Sequence, residues 1–434
     1  MVYIKGGKSL LSPLTSNIMP HQGRPGLKER TNTDFYPKMF LFTIILYVFC
    51  TVTNAASVSS GTCSVPNDQQ GLVRDMQNQL EKWANQQDRP DPSILIALNL
   101  AKDHNLSVIT RLVQQIKETA ETEMTSGKVA LYVLALRSSC QNPADVSTPE
   151  KHVNLVQVLE NKTKEEIEHI NTIGTPKTTY YQLALDTLAL CVEKSPEVEG
   201  AAITLARAVV QFNVNFSVDT GAVASLALFC VYEGRSKITE NIKTALSVII
   251  GQILDEQQPS GILGNIYSTG LAMQALRVTS EFYPANAWSC QKTLNEVLNK
   301  TTEGAFNIPA AASQILPSLL GKTYLDVTCN SVHYKVINQL VGPYFNFSAT
   351  VKVPTGSVLL AVLKAAEQFN ATKFSFQTEE TSWGPMVTSI HGIQANTNEK
   401  TYWQFLSGEK PLDQGVCSYK PKDDENIVAI FSKY

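Results

Sequence analysis

Charge is scarce in this chain: Asp, Glu, Lys and Arg together make up 17% of its 434 residues, and the formal net charge is -3. No concentrated basic stretch interrupts that balance, which excludes a phosphate-gripping nucleic-acid protein and favours a neutral or weakly charged partner. Long apolar runs are missing as well; no segment reaches the roughly 20 residues a spanning helix needs. The motifs of common chemistry are also absent. There is no G-x-S-x-G elbow, no H-E-x-x-H zinc helix, no Walker loop and no G-x-G-x-x-G turn. No C-x-x-C pair occurs, so a zinc knuckle or thioredoxin-type redox site has no support. The histidines beyond the N-terminal region (His104, His152, His169, His333, His391) are scattered, which suits satisfied or surface roles.

What is present begins at residue 39. Behind Lys38, Met39–Cys50 is a short apolar run followed by Thr53-Asn54-Ala55, the pattern of a signal peptide over 39–55. Met39 is then expected to be the true start, with 1–38 an upstream extension; a signal anchor is the alternative. Export would place the cysteines in an oxidising compartment, where bridging is the rule. Of eight cysteines, Cys50 leaves with the signal, so seven remain and one is odd. Sequons at Asn105, Asn161, Asn215, Asn299, Asn346 and Asn370 agree with a secreted, surface-decorated chain.

At 434 residues the chain exceeds one ordinary core, and its pattern divides in two. From Asp68 to about Leu320 apolar residues recur at three and four, the period of helices. One phrase repeats: VALYVLALRSSC (Val129–Cys140), YQLALDTLALC (Tyr181–Cys191), VASLALFC (Val223–Cys230) and GLAMQALRV (Gly270–Val278). Helix pairs that cannot bury both faces alone stack on their neighbours, as an open solenoid or a closed α/α ring. A bridge between Cys63 and Cys290 would staple such a ring shut. Polar turns precede each phrase (Thr125-Ser126-Gly127, Gly174–Thr179, Ser217–Gly221, Gly264–Thr269) and read as N-caps, which in a ring of parallel inner helices would cluster at one mouth. After Cys329 the pattern changes. Val332–Ile337, Phe345–Val353, Lys373–Phe376 and Glu425–Phe431 alternate like strands, and Ser357–Phe369 is an amphipathic helix. The expected architecture is therefore mainly α: an α6/α6 (α/α toroid) barrel over 56–328, then a small α+β, β-rich domain over 329–434.

Two stretches have the composition of a binding surface. Thr178–Gln182 reads as a capped helix start with two rings. Trp383–Leu412 carries two Trp, a Tyr and a Phe among Gly, Pro, Asn and Ser, and reads as a strand-turn-strand platform. Core packing is the bland alternative for Trp383 and Trp403. Polar caps facing an aromatic platform on a second domain describe a cleft between domains. A ring of helix pairs is also a glycosidase scaffold, which would need two opposed carboxylates; Asp186 and Asp219 are the candidates, although a polar helix flank and a helix cap suit them better. A thioester domain of the complement type shares the ring, but its Gly-Cys-Gly-Glu-Gln loop is missing.

The phrases TTYYQLALDTLALC, SVDTGAVASLALFC, GNIYSTGLAMQAL, AASQILPSL and TYWQFLSGEKPL resemble the cobalamin (vitamin B12) carrier family of transcobalamin, intrinsic factor and haptocorrin, in order from about Cys63 to Tyr434. The resemblance implies a non-enzymatic, secreted, monomeric carrier with cobalamin held between barrel and small domain and delivered to a cell-surface receptor. It implies the bridges Cys63–Cys290, Cys140–Cys329 and Cys191–Cys230, leaving Cys417 over. It places barrel contacts at Thr178, Thr179, Tyr180, Tyr181, Gln182, Asp219, Asn265, Ser268 and Gln314. From the small domain it brings Ser382, Trp383, Gly384, Pro385, Met386 and Val387, then Trp403, Gln404, Phe405, Leu406, Ser407, Gly408, Glu409, Lys410, Pro411 and Leu412. A corrin rim bears neutral amides, which hydroxyl, amide and backbone groups can pair. Two departures stand out: Phe216, where cobalt-ligating relatives place His, leaves the metal water or its own upper ligand, and Lys128 stands where relatives often have Gln.

Overall fold

The computed structural model describes residues 63–101, 105–121, 123–148, 150–211, 217–234, 239–381 and 384–434. The signal and extension (1–55), the Asn215 sequon, Phe216, Ser382 and Trp383 lie outside the described residues. Among the described residues twelve α-helices come first: α1 (Gln70–Gln86), α2 (Pro92–Leu100), α3 (Leu106–Thr119), α4 (Ser126–Ser138), α5 (Leu155–Ile173), α6 (Tyr180–Val192), α7 (Val198–Gln211), α8 (Val218–Glu233), α9 (Thr239–Asp255), α10 (Thr269–Val278), α11 (Cys290–Thr302) and α12 (Pro309–Leu319). A small hairpin, β1 (Val146–Ser147) with β2 (His152–Val153), interrupts them.

The even-numbered helices form a closed inner ring. Each packs on the next even one, and α12 returns to α2. The repeated apolar phrases are α4, α6, α8 and α10, and the Ala at the centre of each (Ala135, Ala189, Ala227, Ala275) is fully buried. Helices this apolar on every side can only live inside, whereas the outer helices α1, α3, α5, α9 and α11 pair an apolar stripe with a wet face. Close approach needs small residues. At Gly270 an added Cβ would stand 2.9 Å from the Gln314 carbonyl oxygen on α12. Three bridges staple the fold as expected: Cys63–Cys290 from the lead-in to α1 to the start of the neighbouring α11, Cys191–Cys230 between α6 and α8, and Cys140–Cys329 from the end of α4 to the first strand beyond the ring. Cys417 is not disulfide-bonded.

Beyond the ring come β3 (Cys329–Asn338), β4 (Phe345–Pro354), α13 (Leu359–Phe369), α14 (Ala371–Phe374), β5 (Phe376–Thr381), β6 (Gly384–Ile390), β7 (Ile393–Gln394), β8 (Thr401–Ser407), β9 (Lys410–Pro411) and β10 (Glu425–Lys433). Five strands form one sheet in the order β4-β3-β10-β8-β9, parallel only between β3 and β10. The others form an antiparallel sheet, β5-β6-β7. Strict alternation on β3 and β10 turns Val332, Tyr334, Val336, Ile427, Ala429 and Phe431 into a second core, separate from that of the ring and packed with α13.

Four expectations need correction. Lys373–Phe376 is not one strand: Asn370 caps the short helix α14 through Lys373 N, and extension starts only at Phe376. Trp383–Leu412 is not one platform, because β6 and β7 belong to the smaller sheet and β8 and β9 to the larger. Trp403 is not part of an exposed surface. Its ring is 5% exposed, lies 5.1 Å from that of Phe431, and its Nε1 donates to the Ile393 carbonyl at 3.0 Å. Val387 is buried beside it in the same core. Asp219, finally, is not a cap; Ser217 caps α8 through Thr220 N.

Among the described sequons, Asn105, Asn161, Asn299 and Asn346 are exposed and Asn370 is half-buried. No helix among the described residues is long and apolar enough to cross a membrane.

Candidate functional site

Helix N-termini leave backbone N–H groups unpaired and carry the positive end of the helix dipole. The turns into α4, α6, α8 and α10 manage them differently. Thr125 accepts from Lys128 N at 3.4 Å, Thr179 from Gln182 N at 3.2 Å and Ser217 from Thr220 N at 3.2 Å, the caps expected from the sequence. At α10 the Asn265 carboxamide oxygen takes the N–H groups of Tyr267 (2.8 Å) and Ser268 (3.0 Å). Ser268 therefore makes no side-chain cap; its hydroxyl donates to Asp219 Oδ2 at 3.0 Å, tying α10 to α8 across the mouth.

The starts of α6, α8 and α10, with Gln314 of α12, line a cavity of about 490 Å³ through Tyr181, Ser217, Asp219, Thr220, Asn265, Tyr267 and Gln314. Tyr181, Asp219, Asn265 and Gln314 are thus brought together. Burial, then the nearby Asp219 charge, pushes the Tyr181 phenol up to about 12, so it remains a neutral donor at physiological pH. Of the other barrel candidates, Ser268 lies behind the wall and is 2% exposed. Gln182 accepts from Gly127 N at 3.1 Å and so braces α4 against α6. Thr178 gives its N–H to Glu166 Oε2 at 3.0 Å. Thr179 is exposed and Tyr180 half-buried at the rim. Lys128 lies over the Tyr132 ring, 5.7 Å from its centroid.

Ser217, Thr220 and Tyr267 line the cavity without having been singled out. All three stand in the polar turns noted above, so proximity to Asp219 and Asn265 was the available signal. Asp186 is not in the cavity: it is fully buried, against Ser126 and Glu166. An opposed Asp186–Asp219 pair for glycan hydrolysis is therefore not formed. The described histidines are all engaged. His333 bonds Thr350 and Asp424, His391 meets Thr372 O, His169 meets Thr175 O, and His152 faces Ser147 and Asp145. No metal-holding cluster of acidic, His or Cys side chains occurs among the described residues.

On the small domain, Gly384, with φ +97°, opens β6, where Pro385 is half-buried and Met386 is 52% exposed. Gly408 (φ +59°) makes the β8–β9 turn, which leaves Glu409, Lys410 and Pro411 exposed and returns Leu412 N to Phe405 O at 2.9 Å. Gln404 takes a bond from Ser432, and Phe405 and Leu406 are half-buried. Ser407 Oγ donates to Glu425 at 2.5 Å. What the arrangement can do follows from its chemistry: the ring mouth offers neutral donors and acceptors with one carboxylate, and Tyr267, 49% exposed there, adds a bare apolar face.

Comparison with known proteins matches the chain to a family. Residues 43–343 match the family model described as eukaryotic cobalamin-binding protein, and 356–433 match a domain of unknown function. Cobalamin binding intrinsic factor of Mus musculus is 39% identical over 429 residues, covering 91% of this chain and 100% of its own. Transcobalamin-1 of Homo sapiens is 38% identical over 381 residues, with 79% of this chain and 87% of its own covered. Transcobalamin-2 of Mus musculus is 30% identical, covering 84% of this chain and 94% of its own. The crystal structure of haptocorrin in complex with Cbi superposes with a TM-score of 0.55 at 35% identity, over 86% of this chain and 99% of that one.

Proposed function

This chain belongs to the family of eukaryotic cobalamin-binding proteins, and on that premise we propose that it is a secreted, non-enzymatic, monomeric carrier holding one cobalamin between ring mouth and small domain. The ring over 56–328 supplies the polar seat and the small domain over 329–434 closes on it; 39–55 act as the export signal behind an upstream extension. The loaded carrier is handed to a cell-surface receptor.

The observation that carries the reading is the convergence of Tyr181, Asp219, Asn265 and Gln314 on one cavity at the helix starts. Neutral phenol, amide and hydroxyl groups pair the amides of a corrin rim, and the exposed faces of Tyr267 and Met386 suit its apolar flanks. The small-domain contacts act from Gly384–Met386 and Gly408–Leu412, while Val387 and Trp403 hold those segments in place from the core. Phe216, where cobalt-ligating relatives place His, would offer the cobalt no ligand from this chain. Three disulfides suit the oxidising surroundings of a secreted protein. Retention would come from many modest contacts made at once on one rigid ligand.

Equilibrium dialysis of the purified chain against cyanocobalamin tests the reading. A coloured complex of one ligand per chain, weakened by Asp219→Ala and by Asn265→Ala, is expected. Dialysis that leaves no corrinoid on the protein overturns it.

A further inference from the structure

Beneath the mouth two carboxyls sit side by side in the interior. Asp186 on α6 is fully buried, and Glu166 on α5 is 2% exposed. Outer helices normally turn their acids to water, so a buried Glu there needs a reason. Glu166 has one: its Oε2 takes the backbone N–H of Thr178, in the loop leading into α6, at 3.0 Å, and its Oε1 takes the Ser126 hydroxyl, from the first turn of α4, at 3.3 Å. One side chain thus fixes the starts of two neighbouring inner helices.

Asp186 shows the converse. The Ser126 hydroxyl bears on it too, but that hydroxyl gives its one proton to Glu166 Oε1, and both oxygens of Asp186 stand without a hydrogen-bond partner. A bare buried carboxylate next to a second one would be very costly. A protonated Asp186 resolves the problem, because its O–H can donate to the Ser126 oxygen while Ser126 donates onward to Glu166.

We propose that Asp186, Ser126 and Glu166 form a buried chain holding one shared proton, and that the two acids are positioning residues which set the starts of α4 and α6 for the ligand mouth. The assignment of the mouth rests on the carrier reading; the proton chain does not. The order of donors is Asp186 O–H to Ser126 Oγ, then Ser126 O–H to Glu166 Oε1, with Thr178 N–H on Glu166 Oε2. Among the described residues no other charge bears on Asp186. Of the ionisable groups on the helices packed against α6 (α4, α5, α7 and α8), Glu166 alone bears on Asp186. Lys128 lies over Tyr132, Arg137 pairs with Glu193, Asp219 bears on Tyr181, and Glu199, Arg207 and Glu233 are exposed. On α5, Glu160 holds Ser195, Lys162 bears on Glu165, Lys164 pairs with Glu197, Glu165 pairs with Lys177, His169 meets Thr175 O and Glu168 is exposed.

The pH dependence has an unusual sign. Burial first, and then the Glu166 charge, hold the Asp186 carboxyl well above its ordinary 3.8, with the Ser126 hydroxyl opposing. Folding therefore binds a proton, and the stability tied to it is full below 3.8 and is lost as pH rises toward the raised folded value.

Two measurements on the full chain test this. The first needs no ligand: infrared spectra of the parent at neutral pH should contain the C=O stretch of a buried carboxylic acid, absent from Asp186→Asn. The thermal midpoint of Asp186→Asn relative to the parent should also climb as pH rises from about 4 to 8. A parent without that band, or a midpoint difference independent of pH, overturns the shared proton. The second measures release of cyanocobalamin from loaded protein. Glu166→Gln exchanges a carboxylate acceptor for an amide and should speed release about ten-fold, the weight of one charge-assisted bond, whereas release at the parent rate overturns the positioning role. If the parent binds no cyanocobalamin, the carrier reading fails while the infrared and stability results still decide the proton chain.

Discussion

Replacing Gly270 by Ala isolates how closely the inner helices must approach for the mouth to form. A Cβ there would meet the Gln314 carbonyl oxygen at 2.9 Å, the Ile315 Cα at 3.0 Å and its Cδ1 at 3.1 Å. Two of these are backbone or backbone-attached atoms that cannot rotate away, so α10 and α12 must part by a few tenths of an ångström. Overpacking of this kind costs about 1–3 kcal/mol, against a helix-propensity gain of about 0.5–1 kcal/mol for Gly to Ala. The seam also carries the bonds from Ser318 Oγ to Gly270 O (2.7 Å) and from Gln274 Nε2 to Gln314 O (3.4 Å), which stretch together. A net loss of about 1–2 kcal/mol is expected, or about 3 °C of Tm per kcal/mol, with weaker cyanocobalamin binding because Gln314 lines the cavity. Gly251→Ala on the outer helix α9 is the control: nothing lies within 4 Å of its would-be Cβ, so the same chemical change should stabilise by about 0.5–1 kcal/mol. Paired calorimetric scans decide it. If Gly270→Ala raises Tm as Gly251→Ala does, the close-approach reasoning is wrong.

The other perturbations probe the staple, the small-domain core and one titration. Replacing Cys63 and Cys290 together by Ser opens a loop of 227 residues and should cost about 5 kcal/mol in the chain-entropy account; an unchanged denaturation midpoint would show that the bridge does not close the ring. Trp403→Ala should destabilise the second core by about 3–5 kcal/mol and Trp403→Phe by about 1 kcal/mol through the lost bond to Ile393. Hydrogen exchange on β8 and β10 reads this, and parent-like protection in Trp403→Ala would contradict the packing. Burial of Glu425 alone would raise its carboxyl, but hydrogen bonds from Ser407, Tyr419 and Lys422 N outweigh it and hold the group below its ordinary 4.5. Glu425→Gln should therefore lower stability at neutral pH, and the deficit should vanish as acid titrates the parent through that lowered value. A deficit equally large in acid would refute the bonding scheme.

Much of the ring was legible because its signals are local. A repeated apolar phrase marks an inner helix, and a hydroxyl in the polar turn ahead of it marks its start, so Thr125, Thr179 and Ser217 follow from chain order alone. The small domain was harder. Along a strand the two faces alternate, and sequence does not say which of them meets a core, so Trp403 and Val387 read equally well as surface or interior. Trp383–Leu412 looked continuous because a two-residue strand and a turn, which route it from one sheet to the other, leave little mark on composition. Glu166 was invisible for another reason. Nothing near it in sequence distinguishes it from the solvated acid Glu165 beside it; its partners lie 12 and 40 residues away.

The bridge from Cys140 to Cys329 joins the far end of α4 to the first residue of β3. Close by, Arg137 meets Glu193 at 3.5 Å, and Lys352 of β4 also acts on that carboxylate. The chain between residues 319 and 329 is thus not the sole link from one half to the other. A protease that severed this connector would leave both pieces on a covalent leash, at a high effective concentration for one another. Such a nicked molecule would come apart only after reduction, so a cut in this connector alone would leave the two halves joined until a thiol opened the bridge.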